Sequence, residues 1–178
     1  MPDITLDPSF WSRALATLIG TVAGFIFSIA LFYISECVKR SQEKNKLIVH
    51  VKREAAFNVG LCDGWIKSLA DIRLKVAASD RAFYNYLDYT RCMRVFTQEA
   101  FKAGVIYDLL SDAELIDLDK ALRFLFQTAE QDINSKITQW KATLIAAPEM
   151  SQALTFHEFA VGEARKAIAC LRDKAAAA

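Results

Sequence analysis

ALATLIGTVAGFIFSIALFYI, residues 14–34, is a run of 21 residues without a formal charge, and 16 of them are apolar. At about 1.5 Å of rise per residue it makes a helix of roughly 31 Å, close to the thickness of bilayer hydrocarbon. The run therefore predicts a transmembrane helix over 14–35, preceded by a short extracytoplasmic N-terminus, 1–13. That N-terminus carries Asp3 and Asp7 against Arg13 alone, whereas a secretory leader begins basic and has a shorter apolar centre, so an uncleaved anchor is expected. Asp7 suits a helix N-cap, and Pro8 suits the first helical position, where a missing N–H costs nothing. Phe10 and Trp11 fall at one interface, Phe32 and Tyr33 at the other. Beyond them come Lys39, Arg40, Lys44, Lys46, Lys52 and Arg53, which by the positive-inside rule place the carboxyl side in the cytoplasm. Lys39, Arg40, Lys44 and Lys46, in a basic juxtamembrane stalk over 36–46, suit anionic lipid headgroups.

Within the span Ala16, Gly20, Gly24 and Ser28 recur every fourth residue. They form one stripe of small side chains, along which helices in lipid can approach closely. The stripe predicts a homo-oligomer. Thr17 and Thr21 flank it and are candidates for hydrogen bonds between helices or for a polar lumen, and no charge in the span offers an ion relay.

Outside the span the chain has the composition of an ordinary domain. The 178 residues hold 22 Lys and Arg against 21 Asp and Glu, which argues against duplex nucleic acid held by bulk positive charge. With a single long apolar run, a multi-span transporter is excluded, and with 53% apolar residues so is intrinsic disorder. Prolines at 2, 8 and 148 leave 139 residues without one, and no alternating β pattern is bounded by turn residues. An all-α fold is expected: the membrane helix continues into an antiparallel helical bundle over 47–174, with a short tail over 175–178.

Leu47, Ile48, Val51, Ala55, Val59, Cys62, Ile66 and Leu69 repeat at spacings of three and four and turn one helix face toward a core. Gly60 and Gly64 mark a kink or a close crossing on it. Thr97 can cap a short helix reaching Leu110. Ser111 and Glu114 have capping-box spacing, and start a long helix whose apolar positions run from Leu115 through Leu125, Ile133 and Trp140 to Leu144. Pro148 opens the last helix, with Met150, Leu154, Val161, Ala164, Ile168 and Leu171 inward. Charge is uneven: residues 36–54 carry a net +3 and residues 99–132 a net −5.

Catalytic patterns are missing. Cysteines 37, 62, 92 and 170 make no C-x-x-C pair, and reduced, packed thiols are expected. His157, followed by Glu158 and Glu163, lacks a third ligand at a suitable spacing, so no metal, cofactor or catalytic residue is expected. One segment departs from plain helix composition: Tyr84, Tyr86 and Tyr89 fall within six residues, with Arg91 and Arg94 just after. Tyrosines and arginines together can stack bases and grip phosphates. They suit equally a crowded bundle corner.

One N-terminal span with a small-residue stripe, followed by a small helical domain carrying the Tyr84–Arg94 segment, resembles the cyclic-oligoadenylate-binding membrane effectors of type III CRISPR defence. The resemblance lies in the layout of the whole chain and in no diagnostic motif. It implies a single-pass protein of a bacterial inner membrane and a homo-oligomer, a tetramer, that binds a cyclic nucleotide at the tyrosine and arginine segment and perturbs its span. A membrane-anchored scaffold that binds a protein partner is the alternative.

Overall fold

The computed structural model describes residues 8–83, 86–127 and 129–178. Among them are six α-helices and no strand, as the proline-free sequence requires. Asp7, the expected cap, and most of the expected N-terminal segment lie outside the described residues. Two compact units divide the chain, one before Lys46 and the other Lys46–Ala178.

The first unit is the leading part of helix α1, Pro8–Ala77. It contains a stretch of mean hydropathy 2.2, none of which is buried in the chain, long and apolar enough to cross a membrane. The hydroxyls of Thr17, Thr21 and Ser28 donate to the carbonyls four residues back, Arg13, Thr17 and Gly24, at 2.9, 2.8 and 2.8 Å. Each polar group in the apolar stretch is thus answered by its own helix, which lipid demands. Thr17 and Thr21, expected to bond across helices or line a lumen, spend their donors here. A Cβ added at Gly20 or Gly24 would meet nothing within 4 Å, so the small-residue stripe is open along its length.

The second unit is a helical bundle. Ile48, Val51, Ala55, Val59, Cys62, Leu69, Ile72 and Val76 of α1 are all buried, as the three-and-four spacing requires. Gly60 and Gly64 neither break α1 nor meet a neighbour: the helix runs through both, and a Cβ at either has open space. After α1 the chain passes through a 3-10 turn, Tyr89–Arg91, to α2, Val95–Lys102, and α3, Val105–Leu109. The expected single helix from Thr97 to Leu110 is broken at Gly104, whose φ of +77° is left-handed, a conformation that glycine adopts without strain.

The capping box forms as its spacing predicts. Ser111 donates from its amide and its hydroxyl to Glu114, both at 2.8 Å, and opens α4, Asp112–Gln127. The long helix expected from there is described as α4 and then α5, Ala129–Lys141, with Thr128 between them outside the described residues. Last comes α6, Ala147–Ala177, with proline in its first turn and every expected core residue buried. The tail expected from 175 continues this helix, and Ala175 is buried.

Ion pairs fix the directions. Asp63 and Arg73 of α1 meet Arg165 and Glu158 of α6, so these helices are antiparallel. Glu114 of α4 meets Lys174, and Lys136 of α5 meets Glu149, which sets the α4–α5 pair antiparallel to α6 as well. Helix α6 therefore closes the core against two mutually parallel partners.

Candidate functional site

The segment between α1 and α2, which holds the tyrosines and arginines, is neither helix nor loop at large. It is a strap laid lengthwise on α1. Phe83 lies beside Lys75, Tyr89 beside Trp65, Met93 beside Asn58 and Phe96 beside His50. From Lys75 back to His50 the helix rises about 37 Å, and the contacts of Phe83, Tyr89, Met93 and Phe96 follow one another along it.

A segment that pairs with no strand must satisfy its backbone by other means. Three side chains do so. Asn134 of α5 accepts from the amide of Leu87 at 3.1 Å and donates to its carbonyl at 2.8 Å. Asn58 of α1 grips Met93 in the same way, at 2.8 and 2.6 Å. The buried carboxylate of Glu54 accepts from the amides of Phe96 and Thr97, at 2.8 and 2.9 Å, and from the Thr97 hydroxyl at 2.5 Å. Those amides open α2, so an anion from α1 caps it, where unsatisfied N–H groups and the helix dipole favour negative charge. Lys141 also donates to the carbonyl of Phe83. Asp88 accepts from the amide of Thr90 at 3.1 Å and from its hydroxyl, and so starts the 3-10 turn.

This geometry spreads out the residues that the sequence groups together. Tyr84 lies outside the described residues. Tyr86, Arg91 and Arg94 are exposed. Tyr89 is not a ligand group in this arrangement, because its ring is fully buried, 4.8 Å from Trp65 and 6.0 Å from Phe124. The aromatic content that looks like a stacking platform is here core packing. Arg94 places its guanidinium 4.4 Å from the centroid of Phe126, a cation–π contact that leaves its outer face open. Of the residues expected to grip an anion, Tyr86, Arg91 and Arg94 are thus the described ones that stay exposed.

Of the headgroup candidates, Lys39, Arg40, Lys44 and Lys46 are all exposed, and Arg40 pairs with Glu36 at 3.2 Å. His157 is buried, its Nε2 3.3 Å from an Asp132 carboxylate oxygen. Burial pushes its pKa down, and the Asp132 hydrogen bond opposes this. Among the described residues no three His, Cys, Asp or Glu side chains gather as metal ligands. Cys62 and Cys92 are buried thiols, pushed up chiefly by burial to about 11 and about 12, hence protonated and unreactive at neutral pH. Helices α4 and α6 also leave an open groove of about 530 Å³ between them, floored by Ala121, Phe124, Ala160 and Ala167 and edged by Phe159.

Sequence reasoning missed one grouping, Lys75, Arg81 and Lys141, which come from three separate segments and meet around Phe83 and Trp140. Lys75 and Lys141, as last-turn cations, carry the local signal there is, and that signal indicates helix ends. Compared with protein-family models, with curated proteins and with solved structures, the chain matches none.

Proposed function

We propose that the protein is a non-enzymatic, oligomeric membrane effector: a single-pass protein of a bacterial inner membrane, its N-terminus outside and its bundle in the cytoplasm. The bundle binds an anionic ligand of the cyclic-oligonucleotide class and perturbs the assembled membrane helices. The observation that carries this is α1 itself, one helix that bears both the exposed apolar stretch and, farther on, the core stripe with Glu54 and Asn58. A ligand on the outer side of the strap that favours one placement of the strap over another biases the helix that holds it. The open stripe Ala16, Gly20, Gly24 and Ser28 is the face along which copies associate, as the tetramer that the resemblance implies. The groove between α4 and α6 favours a second reading, a membrane-anchored scaffold that receives an apolar partner helix.

The test uses the full chain in phosphatidylcholine nanodiscs, with cyclic tetra- and hexaadenylate as probes and melting temperature and crosslinking as readouts. A ligand-dependent rise in melting temperature that is lost in Arg91→Ala/Arg94→Ala, with the unliganded melt unchanged, supports the sensor. No response to either probe, or an undiminished response in the double variant, overturns it.

A further inference from the structure

Where α1 and α5 end, three cations converge on two rings. The Nζ atoms of Lys141 and Lys75 lie 4.2 and 4.9 Å from the centroid of Phe83, which bounds their separation at about 9 Å. The Arg81 guanidinium lies 5.4 Å from the Trp140 ring, itself 6.1 Å from Phe83. Both rings are buried. The two lysines are half-buried, whereas Arg81 is exposed.

Most cations of the last helices pair their charge. Among the described residues of α4 to α6, Lys120, Arg123, Lys136, Arg165, Lys166, Arg172 and Lys174 each meet a carboxylate, and Lys141 does not. Neither Lys75 nor Arg81 meets one among the described residues, although Arg73, one half-turn before Lys75, pairs with Glu158 at 2.9 Å. The nearby acids are engaged or turned to other tasks: Asp80 accepts from the amide of Ala82 at 3.0 Å, and Glu149 holds Lys136. Helix dipoles explain part of the pattern, because Lys75 and Lys141 sit in last turns, where cations are favoured. They do not explain Arg81, which belongs to neither helix, nor the convergence of three like charges, each of which raises the energy of the others.

We propose that this end of the bundle binds a phosphate group, with Lys75, Arg81 and Lys141 as its donors. The recognition is by charge and not by stacking, because Phe83 and Trp140 are covered and present no free face to a base. The site is separate from Arg91 and Arg94: Lys75 and Asn58, the α1 neighbours of Phe83 and Met93, are about 25 Å apart along the helix. It stands whether or not the strap senses a cyclic nucleotide. Phosphate of this kind comes either from a soluble polyphosphate or from a lipid headgroup.

Titration calorimetry on the full chain in phosphatidylcholine nanodiscs, with inorganic pyrophosphate as the first probe and dioctanoyl phosphatidylglycerol as the second, tests this. Lys75→Met keeps the aliphatic stem on Phe83 and removes the charge, and Arg81→Gln alters an exposed side chain, so both variants are expected to fold. Each should weaken binding about tenfold or more, with steep loss of affinity as salt rises in the parent, while Lys102→Gln, at an exposed cation of α2, leaves it unchanged. Binding of pyrophosphate identifies the soluble source, and binding of the short-chain lipid alone identifies the headgroup. Failure of the parent to bind either, or equal affinity in Lys75→Met/Arg81→Gln, overturns the site.

Discussion

Two stretches of one helix treat their apolar side chains in opposite ways. Over residues 14–34 Leu15, Leu18, Ile19, Phe25 and Phe27 stand 60 to 68% exposed, whereas over 48–76 Val51, Cys62, Leu69 and Ile72 are 0% exposed. The first stretch is apolar on every face, the second along one stripe only. A helix that is apolar all round needs an apolar surrounding on all sides, and the described chain supplies none. Periodicity, more than hydrophobicity, thus separates a helix that seeks a core from one that seeks a different solvent.

The strongest way to break that comparison is to delete the same atoms from each stretch. Leu69→Ala opens a cavity in a closed core and should destabilise the bundle by about 2–5 kcal/mol. Leu18→Ala removes an exposed side chain and should leave the bundle melting transition where it was. Denaturant or thermal unfolding of both variants in nanodiscs reads the difference. Equal losses would mean that the first stretch is packed in the bundle core.

A smaller effect sharpens it from the side of the strap. Asn58→Ala leaves the amide and carbonyl of Met93 without their partners in a partly buried setting, at a cost of about 1–2 kcal/mol. Arg53→Ala, an exposed neighbour on the same helix, should change stability by less than about 0.5 kcal/mol. Unfolding midpoints of the two variants compare them, and a tolerated Asn58→Ala would show that the strap does not depend on its grip.

The strap also shows where the sequence stops being legible. The core stripe of α1, the Ser111–Glu114 cap and the inward face of α6 are local patterns in which neighbours along the chain declare the structure. The path of residues 83–97 is set by Asn58, Asn134 and Glu54, polar residues 35 to 47 positions away, and no local period encodes such a bond. Tyr89 was misplaced for the same reason: a tyrosine among tyrosines and arginines has the composition of a binding surface, and only Trp65 and Phe124, from distant helices, make it core.

The smallest expected effect is that of pH. For His157 the folded pKa lies below its ordinary 6.5, mainly through burial, so the unfolded chain binds the proton more readily. That contribution to stability is present above 6.5 and is lost as pH falls below it. Glu114 is held at about 2 by the Ser111 amide and hydroxyl, helped by Cys170 and Lys174. Its contribution is present above its ordinary 4.5 and fades as pH falls toward 2. Melting curves from pH 8 to 3 should therefore weaken in two steps, of which His157→Gln removes the upper and Glu114→Gln the lower. The helicity of residues 14–34, which hold no Asp, Glu, Lys, Arg or His, should stay constant throughout.

The position of α6 has a consequence for how the molecule is made. Arg165 reaches Asp63 across 102 residues of sequence at 2.5 Å, and α6 lines both other long helices of the bundle. Translation delivers α1 first and α6 some hundred residues later, at 5–20 residues per second. For on the order of ten seconds the stripe from Ile48 to Val76 is on the nascent chain without the helix that covers it. A ribosome that pauses before Ala147 holds an open core next to a finished apolar stretch, so this interval is when the chain is most exposed to aggregation, to proteases and to holdase chaperones.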